Sequence, residues 1–316
     1  MNLYLLGSAY VLILASFVSA DVNWSKYNIY PVFANAPKCN LTTPIPGWST
    51  LKNADGTLFT SSKRPIVLLA QQWDSSFLTT YAMQFLLEAM GYRVNVVVGT
   101  DNFTPSREFY DNVVDLELEI WPSDTPTLKN LTKTDGVAVS MGAVGYSGNV
   151  GFYVPTYMIT KYPTLNFDFW RSYYNPQIIS YFPPMGTGPK LDTPLSTCNG
   201  DPTSCVNGTY TPLQCRGYKS NCGELWAYDP SYSPDMVQRL LDGSGLNFTI
   251  NFLGSNATQI ILSAMAAKKN ILFYNWSPTA FTSVQPITRV LLPGNNPSEY
   301  YKFSTSKGKT IDLTVY

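Results

Sequence analysis

Short continuous apolar runs, bounded by turn residues, are the strongest pattern in this chain. Pro65 to Ala70 reads Pro-Ile-Val-Leu-Leu-Ala and runs into Gln71-Gln72-Trp73-Asp74. Such a run predicts a strand buried on both faces. The period then changes: Phe77, Leu78, Tyr81, Ala82, Phe85, Leu86 and Met90 recur at helical spacing, with Asp74 or Ser75 as the opening cap and Gly91 as the stop. Tyr92 to Val98 returns to strand, and strand, helix and strand in succession predict a βαβ unit with parallel pairing.

The same reading continues downstream. Asp101 to Asp115 predicts one further helix, and Val114 to Ile120 predicts a strand that delivers Trp121-Pro122-Ser123-Asp124. Between Thr134 and Pro155 a strand-like segment carries the glycines of Gly145-Tyr146-Ser147-Gly148-Asn149-Val150-Gly151-Phe152, which predict a bend or a close approach and a first hinge. Residues 163 to 226 are rich in Pro, Tyr, Gly and Asn. Trp226 to Pro234 predicts a turn opening a helix over Asp235 to Leu241 that stops at Gly243. Leu246 to Phe252 predicts a strand, Asn256 caps a helix over Ala257 to Lys268, and Ile271 to Tyr274 predicts the strand that delivers Trp276. The pattern of the first half thus recurs in the second, and the expected architecture is α/β, with two lobes facing across a cleft.

The first residues change the compartment. An apolar stretch through Leu5, Leu6 and Val11 to Leu14 ends in Val18-Ser19-Ala20, which predicts a signal peptide cleaved after Ala20. The expected organisation is a signal peptide at 1–20, an N-terminal arm at 21–62, lobe 1 at 63–145, lobe 2 at 146–285, and a return to lobe 1 at 286–316 that ends short. Eight Asn-x-Ser/Thr sequons, at Asn23, Asn40, Asn102, Asn130, Asn207, Asn247, Asn256 and Asn275, fit a secreted glycoprotein, with Asn275 expected to stay unmodified. Cys198, Cys205, Cys215 and Cys222 predict a disulfide-stapled loop over 198–222; of the possible pairings, Cys198 with Cys205 and Cys215 with Cys222 is preferred, and Cys39 is left over. Localisation is expected to be secreted or at the extracellular face of the plasma membrane.

Charge and composition exclude several chemistries. The 21 basic residues balance 21 acidic ones, so no long-range field points to nucleic acid. There is no histidine at all. That removes the serine and cysteine triads and histidine-ligated zinc, and neither a metal nor a cofactor is expected.

What remains is aromatic. Trp73, Trp121 and Trp276 each stand at the end of a predicted strand, where α/β proteins place ligand contacts. Together with Tyr232, and with Tyr146 and Phe152 in reserve, they could cage a quaternary ammonium cation against their ring faces. Core packing is the plainer reading for any one ring. Asp74 and Asp124, close behind two of these tryptophans, could face the cation, although helix capping explains Asp74 equally well. Glu117 and Glu119 share a strand face as an acid/base pair would require, but a solvated sheet face is the commoner reason for such alternation.

Five motifs, in order, resemble the substrate-binding proteins of glycine betaine, choline and carnitine uptake systems, which have the type 2 periplasmic-binding-protein fold. They are Ile66 to Tyr92, Glu119 to Pro122, Gly151 to Pro155, the Asp229-Pro230 turn, and Phe273 to Pro278. The resemblance implies a hinged, two-lobed, non-enzymatic monomer that closes on a quaternary ammonium ligand. It implies that Trp121 and Trp276 are cage tryptophans, that Trp73 and Asp74 act as in choline-type members, and that Tyr232 is the aromatic of the turn. A membrane transporter or receptor is the implied partner. Family members often place a histidine after a Trp-Pro element to hold a carboxylate; here Asp124 and Thr125 occupy that neighbourhood, which tilts the expected ligand toward choline. The alternatives from other classes are a secreted carboxylate-dependent glycan hydrolase using Glu117 or Glu119, and a structural cell-surface glycoprotein.

Overall fold

The structure, a computed structural model, describes residues 7–14, 64–99, 106–121, 128–190, 205–217, 221–230 and 236–294. The chain divides into two compact units, Gly7–Ser147 and Gly148–Tyr316, the latter joined by Met1–Leu6. Each is mixed α/β. The division falls inside one long strand.

In the N-terminal unit the strands are β1 (Gly7–Leu14), β2 (Ile66–Ala70), β3 (Val94–Val98), β4 (Leu116–Ile120) and the first part of β5 (Ala138–Pro155); the helices are α1 (Asp74–Ala89) and α2 (Ser106–Tyr110). The sheet order is β3-β2-β4-β1. β2 pairs in parallel with β3 (Leu68 opposite Val96) and with β4 (Leu68 opposite Leu116), as the βαβ pattern requires. Alternate residues of β2 enter different cores. Val67 and Leu69 pack with Val97, Phe109, Val114 and Leu131, whereas Leu68 and Ala70 pack with Val96, Leu116 and Leu118 on the other face. The parallel pair is tied at its start by Asp115, whose carboxylate accepts from the Val67 amide at 2.8 Å and pairs with Arg64.

Helix α1 has the expected length, and Gly91, at φ 87°, follows its end. The face it buries overlaps the apolar one only in part: Phe77 and Tyr81 pack against the Leu68 core. Ser76 and Thr80 are buried, while Leu78 is 73% and Phe85 39% exposed. Small polar residues bring the helix close to the sheet, and the Ser76 hydroxyl takes the Gln71 amide at 2.8 Å. Trp73 holds the N-cap position without a side-chain cap bond, so Asp74 is an exposed first-turn residue and not the cap. There its charge complements the helix dipole.

Gly7–Leu14, inside the predicted signal peptide, runs antiparallel to β4 with Tyr10 opposite Ile120. Cleavage after Ala20 would remove this strand. Among the described residues no helix is long and apolar enough to cross a membrane.

The C-terminal unit continues with α3 (Thr156–Lys161), α4 (Pro176–Ile179), β6 (Cys205–Val206), β7 (Thr209–Tyr210), β8 (Gly223–Ala227), α5 (Met236–Ser244), β9 (Phe248–Phe252), α6 (Ala257–Ala266), β10 (Leu272–Ser277), α7 (Ala280–Val284) and β11 (Ile287–Arg289). Its strand order is β5-β10-β8-β9-β7-β6, with β11 also paired to β5. β10, β8 and β9 are mutually parallel; β5 runs antiparallel to β10 with Phe152 opposite Tyr274. Two cores flank this sheet, one around Phe152, Tyr173, Phe182, Leu225 and Phe248, the other around Tyr153, Trp226, Ile261 and Phe273.

Several expectations shift here. Trp226 opens no turn: it lies inside β8, a central strand that the chain's patterning does not announce. Helix α5 runs through Gly243 to Ser244, and Gly245, at φ 64°, takes the left-handed position. Asn256 stands at the N-cap of α6 but makes no side-chain cap bond. β11 pairs with β5 over Tyr153 to Pro155, and Val290 packs in the core around Phe152 and Phe248. Cys215 and Cys222 form the preferred disulfide. Cys198 and Cys39 lie outside the described residues, and of Cys205 only the backbone is described.

Candidate functional site: two tryptophans on one buried carboxylate

Strand β4 carries Glu117 and Glu119 on the same face, and that face is not solvated. Each glutamate is 1% exposed. A buried carboxylate is costly unless donors surround it, and the donors come from the loop between β2 and α1, from the first turn of α1 and from the residue after β4. Gln71 Nε2 donates to Glu117 Oε1 at 2.8 Å. Gly99 makes room for that glutamine, since a Cβ there would lie 2.7 Å from Gln71 Oε1.

Glu119 is the centre of the group. Its Oε1 accepts from Trp73 Nε1 at 2.6 Å, Ser75 Oγ at 2.7 Å and Trp121 Nε1 at 2.8 Å. Two of the predicted ligand tryptophans, distant in sequence, are thus held by one oxygen atom. Its Oε2 has no hydrogen-bond partner among the described residues. Tyr146, from β5, sets its ring edge-on to Trp121, with centroids 6.0 Å apart at 71°. The Tyr146 hydroxyl stands near Glu119 and Ser75 without a well-formed hydrogen bond to either; burial first, then the neighbouring Glu119, push it far above the ordinary tyrosine range. Trp73 is 9% exposed and Trp121 is partly exposed.

Trp276 belongs to the other unit and has its own aromatic neighbours. It lies inside β10 opposite Val150 and not beyond the strand end. Tyr228 meets it at 4.8 Å and 60°, and Tyr274 at 6.4 Å and 46°. Thr279 caps α7 immediately after, its hydroxyl accepting from the Thr282 amide at 3.0 Å. Asn275 is 1% exposed, and its Oδ1 takes the Trp276 amide at 2.7 Å. Phe152 is 0% exposed and packs in the core around Tyr173 and Phe248, so its ring serves the fold. Asp124 and Tyr232 lie outside the described residues. Among the described residues no group of three or more Cys, Asp or Glu side chains is placed to hold a metal.

Sequence reasoning set Glu119 aside as an outward-facing strand residue and so missed the group that joins the tryptophans. The available signal was the pairing of Glu119 with Trp121 two residues on, the spacing at which two side chains share a strand face.

With this geometry in place, residues 64–166 match the family model described as the substrate-binding domain of ABC-type glycine betaine transport systems. Over this stretch the chain is similar to that family. It comprises about a third of the 316 residues and holds β2 to α3, the Glu119 group and three of the five motifs. The family consists of solute-binding proteins that work with an uptake transporter. Among solved structures, the chain is similar to lactococcal OpuAC in a closed, liganded conformation with glycine betaine (13% identity, 79% of this chain and 86% of that one, TM-score 0.43). It is also similar to the glycine/betaine/L-proline-binding protein ProX of Borrelia burgdorferi (14%, 78% and 73%, TM-score 0.45). A third is an ABC-transporter choline-binding protein in an unliganded, semi-closed conformation (14%, 73% and 68%, TM-score 0.42). No curated protein matches the chain.

Proposed function

We propose that this protein binds a small quaternary ammonium compound of the choline or glycine betaine type, as a solute-binding component for uptake or sensing outside the cell, and catalyses no reaction. The observation that carries the reading is the joining of Trp73 and Trp121 on Glu119, with Tyr146 against Trp121. Ring faces attract a cation too large to be hydrogen-bonded, and an anion beside them adds to the attraction. Each ring contributes about 0.5 to 2 kcal/mol. Three rings therefore fall short of the roughly 8 kcal/mol that micromolar binding needs. Trp276 and Tyr232 are our candidates for the remainder, Asp74 and Asp124 for further contact with the cation. Phe152 drops out because it is core.

A buried carboxylate at the site works against a ligand carboxylate placed near it, so choline ranks above glycine betaine in this reading. The glycan-hydrolase alternative finds less support: Glu119 is already engaged by three donors and Glu117 by Gln71.

The test is a titration of the purified protein with choline, glycine betaine, carnitine and a neutral sugar, followed by intrinsic tryptophan fluorescence and thermal unfolding. Saturable change with choline, lost in Trp121→Ala, is the expected result. Folded protein that responds to none of the ammonium compounds would overturn the proposal. N-terminal sequencing of secreted protein tests the leader, with Asp21 expected first.

A further inference from the structure

We propose that Glu119 is a charge-setting and positioning residue that makes the aromatic site require a positively charged ligand, an inference that rests on the binding function proposed above. Three observations carry it. Glu119 is 1% exposed, its donors are all neutral groups (two indole N–H and one hydroxyl), and among the described residues no Lys or Arg is hydrogen-bonded or ion-paired to it. Neutral donors stabilise a carboxylate but leave its charge uncompensated, and an uncompensated buried charge is unfavourable. A cation entering beside Trp121 supplies the missing charge. A neutral molecule of the same shape does not.

The hydrogen bonds extend the effect into the rings. An indole that donates its N–H to a carboxylate is polarised, so its face becomes richer in electron density and more attractive to a cation. Because Trp73 and Trp121 share the same Oε1, one residue fixes both ring orientations. Their positions depend on hydrogen bonding, which a glutamine oxygen could also accept; the selectivity depends on charge, which glutamine lacks.

The experiment compares choline with its neutral carbon isostere, dimethylbutanol, by titration calorimetry on the wild type and Glu119→Gln. The wild type is expected to prefer choline by about tenfold or more, the effect of a single interaction worth one pKa unit or more. In Glu119→Gln choline weakens by about that factor, while dimethylbutanol changes by less than about twofold. Equal losses for both ligands would mean that Glu119 only holds the fold, and an unchanged ratio would overturn the charge-setting role. If Glu119→Gln does not fold, the wild-type ratio still decides, because equal affinity for the two ligands refutes the proposal. A ligand-free readout separates this inference from the binding function. The indole N–H proton resonances of Trp73 and Trp121 are expected to shift upfield in Glu119→Gln while that of Trp226, bonded to Glu224, stays in place; no such shift would sink the inference even if choline binds.

Discussion

The triplet Glu-x-Trp occurs in both units, at Glu119-Ile120-Trp121 and at Glu224-Leu225-Trp226, and in both the tryptophan N–H reaches the glutamate two residues before it. The distances are 2.8 Å and 3.3 Å. Beyond that the two diverge. Glu224 is closed on every side: Gly186 donates its amide to Oε1 at 2.6 Å, and Asn251 Nδ2 lies at 3.5 Å from Oε2. A Cβ on Gly188 would come within 1.8 Å of that oxygen, so the loop has no space for anything more. Trp226 is 3% exposed within the strand. Glu119 instead keeps one oxygen unpaired among the described residues, and its tryptophan stands just past the strand end, partly exposed. The same three-residue motif is therefore closed inside a strand in one unit and keeps an unpaired oxygen beside a partly exposed tryptophan in the other; the difference lies in what the neighbouring segments supply.

The comparison is broken most severely by removing the closed tryptophan. Trp226→Ala should destabilise the C-terminal unit by about 3 to 5 kcal/mol, as for other large-to-small core changes, seen as a lower denaturation midpoint. Glu224→Ala should cost about 1 to 3 kcal/mol, because it orphans the Gly186 amide and the Trp226 indole. It should also raise proteolytic cleavage around Gly186 to Pro189. Trp121→Ala is expected to behave in the opposite way, with about 1 kcal/mol or less of lost stability but a tenfold or greater loss of choline affinity. Parallel unfolding and titration curves on these three variants would refute the distinction if Trp121→Ala proved as destabilising as Trp226→Ala.

The smallest effect is alkaline. Burial raises the Tyr146, Tyr153 and Tyr173 hydroxyls, and moves Tyr157 up to about 12. A raised folded-state pKa means that the native protein holds protons the unfolded chain releases near pH 10, so this stabilisation is complete below that pH and declines as pH rises through the folded values. The unfolding temperature should fall above about pH 10, and phenolate absorbance should develop in two stages, exposed tyrosines before buried ones. A single stage at the free-tyrosine value would contradict the burial of these side chains.

Much of the α/β organisation was legible because apolar periodicity is a local property. Ile66 to Ala70 announced a strand buried on both faces, α1 followed from spacing and from Gly91, and the tryptophans marked strand ends correctly at Trp73 and Trp121. Strand β8 was not legible. Gly223-Glu224-Leu225-Trp226-Ala227 carries a charge in the middle of a buried strand, and the groups that satisfy it, at Gly186 and Asn251, are remote in sequence. Glu117 and Glu119 misled for the same reason: alternation of acidic and apolar residues reads as a wet face until Gln71, Trp73 and Ser75 are brought against it.

Sequence by itself determined many of the strand and helix segments, β2, α1, β3, β4, β9, α6 and β10 among them, the absence of histidine chemistry, and the aromatic character of the candidate residues, since each depends on neighbours a few residues away. Tertiary structure alone decided the fate of the charges. Whether a carboxylate is solvated, sealed or left with an open oxygen depends on donors delivered by distant loops, and that choice separates Glu119 from Glu224.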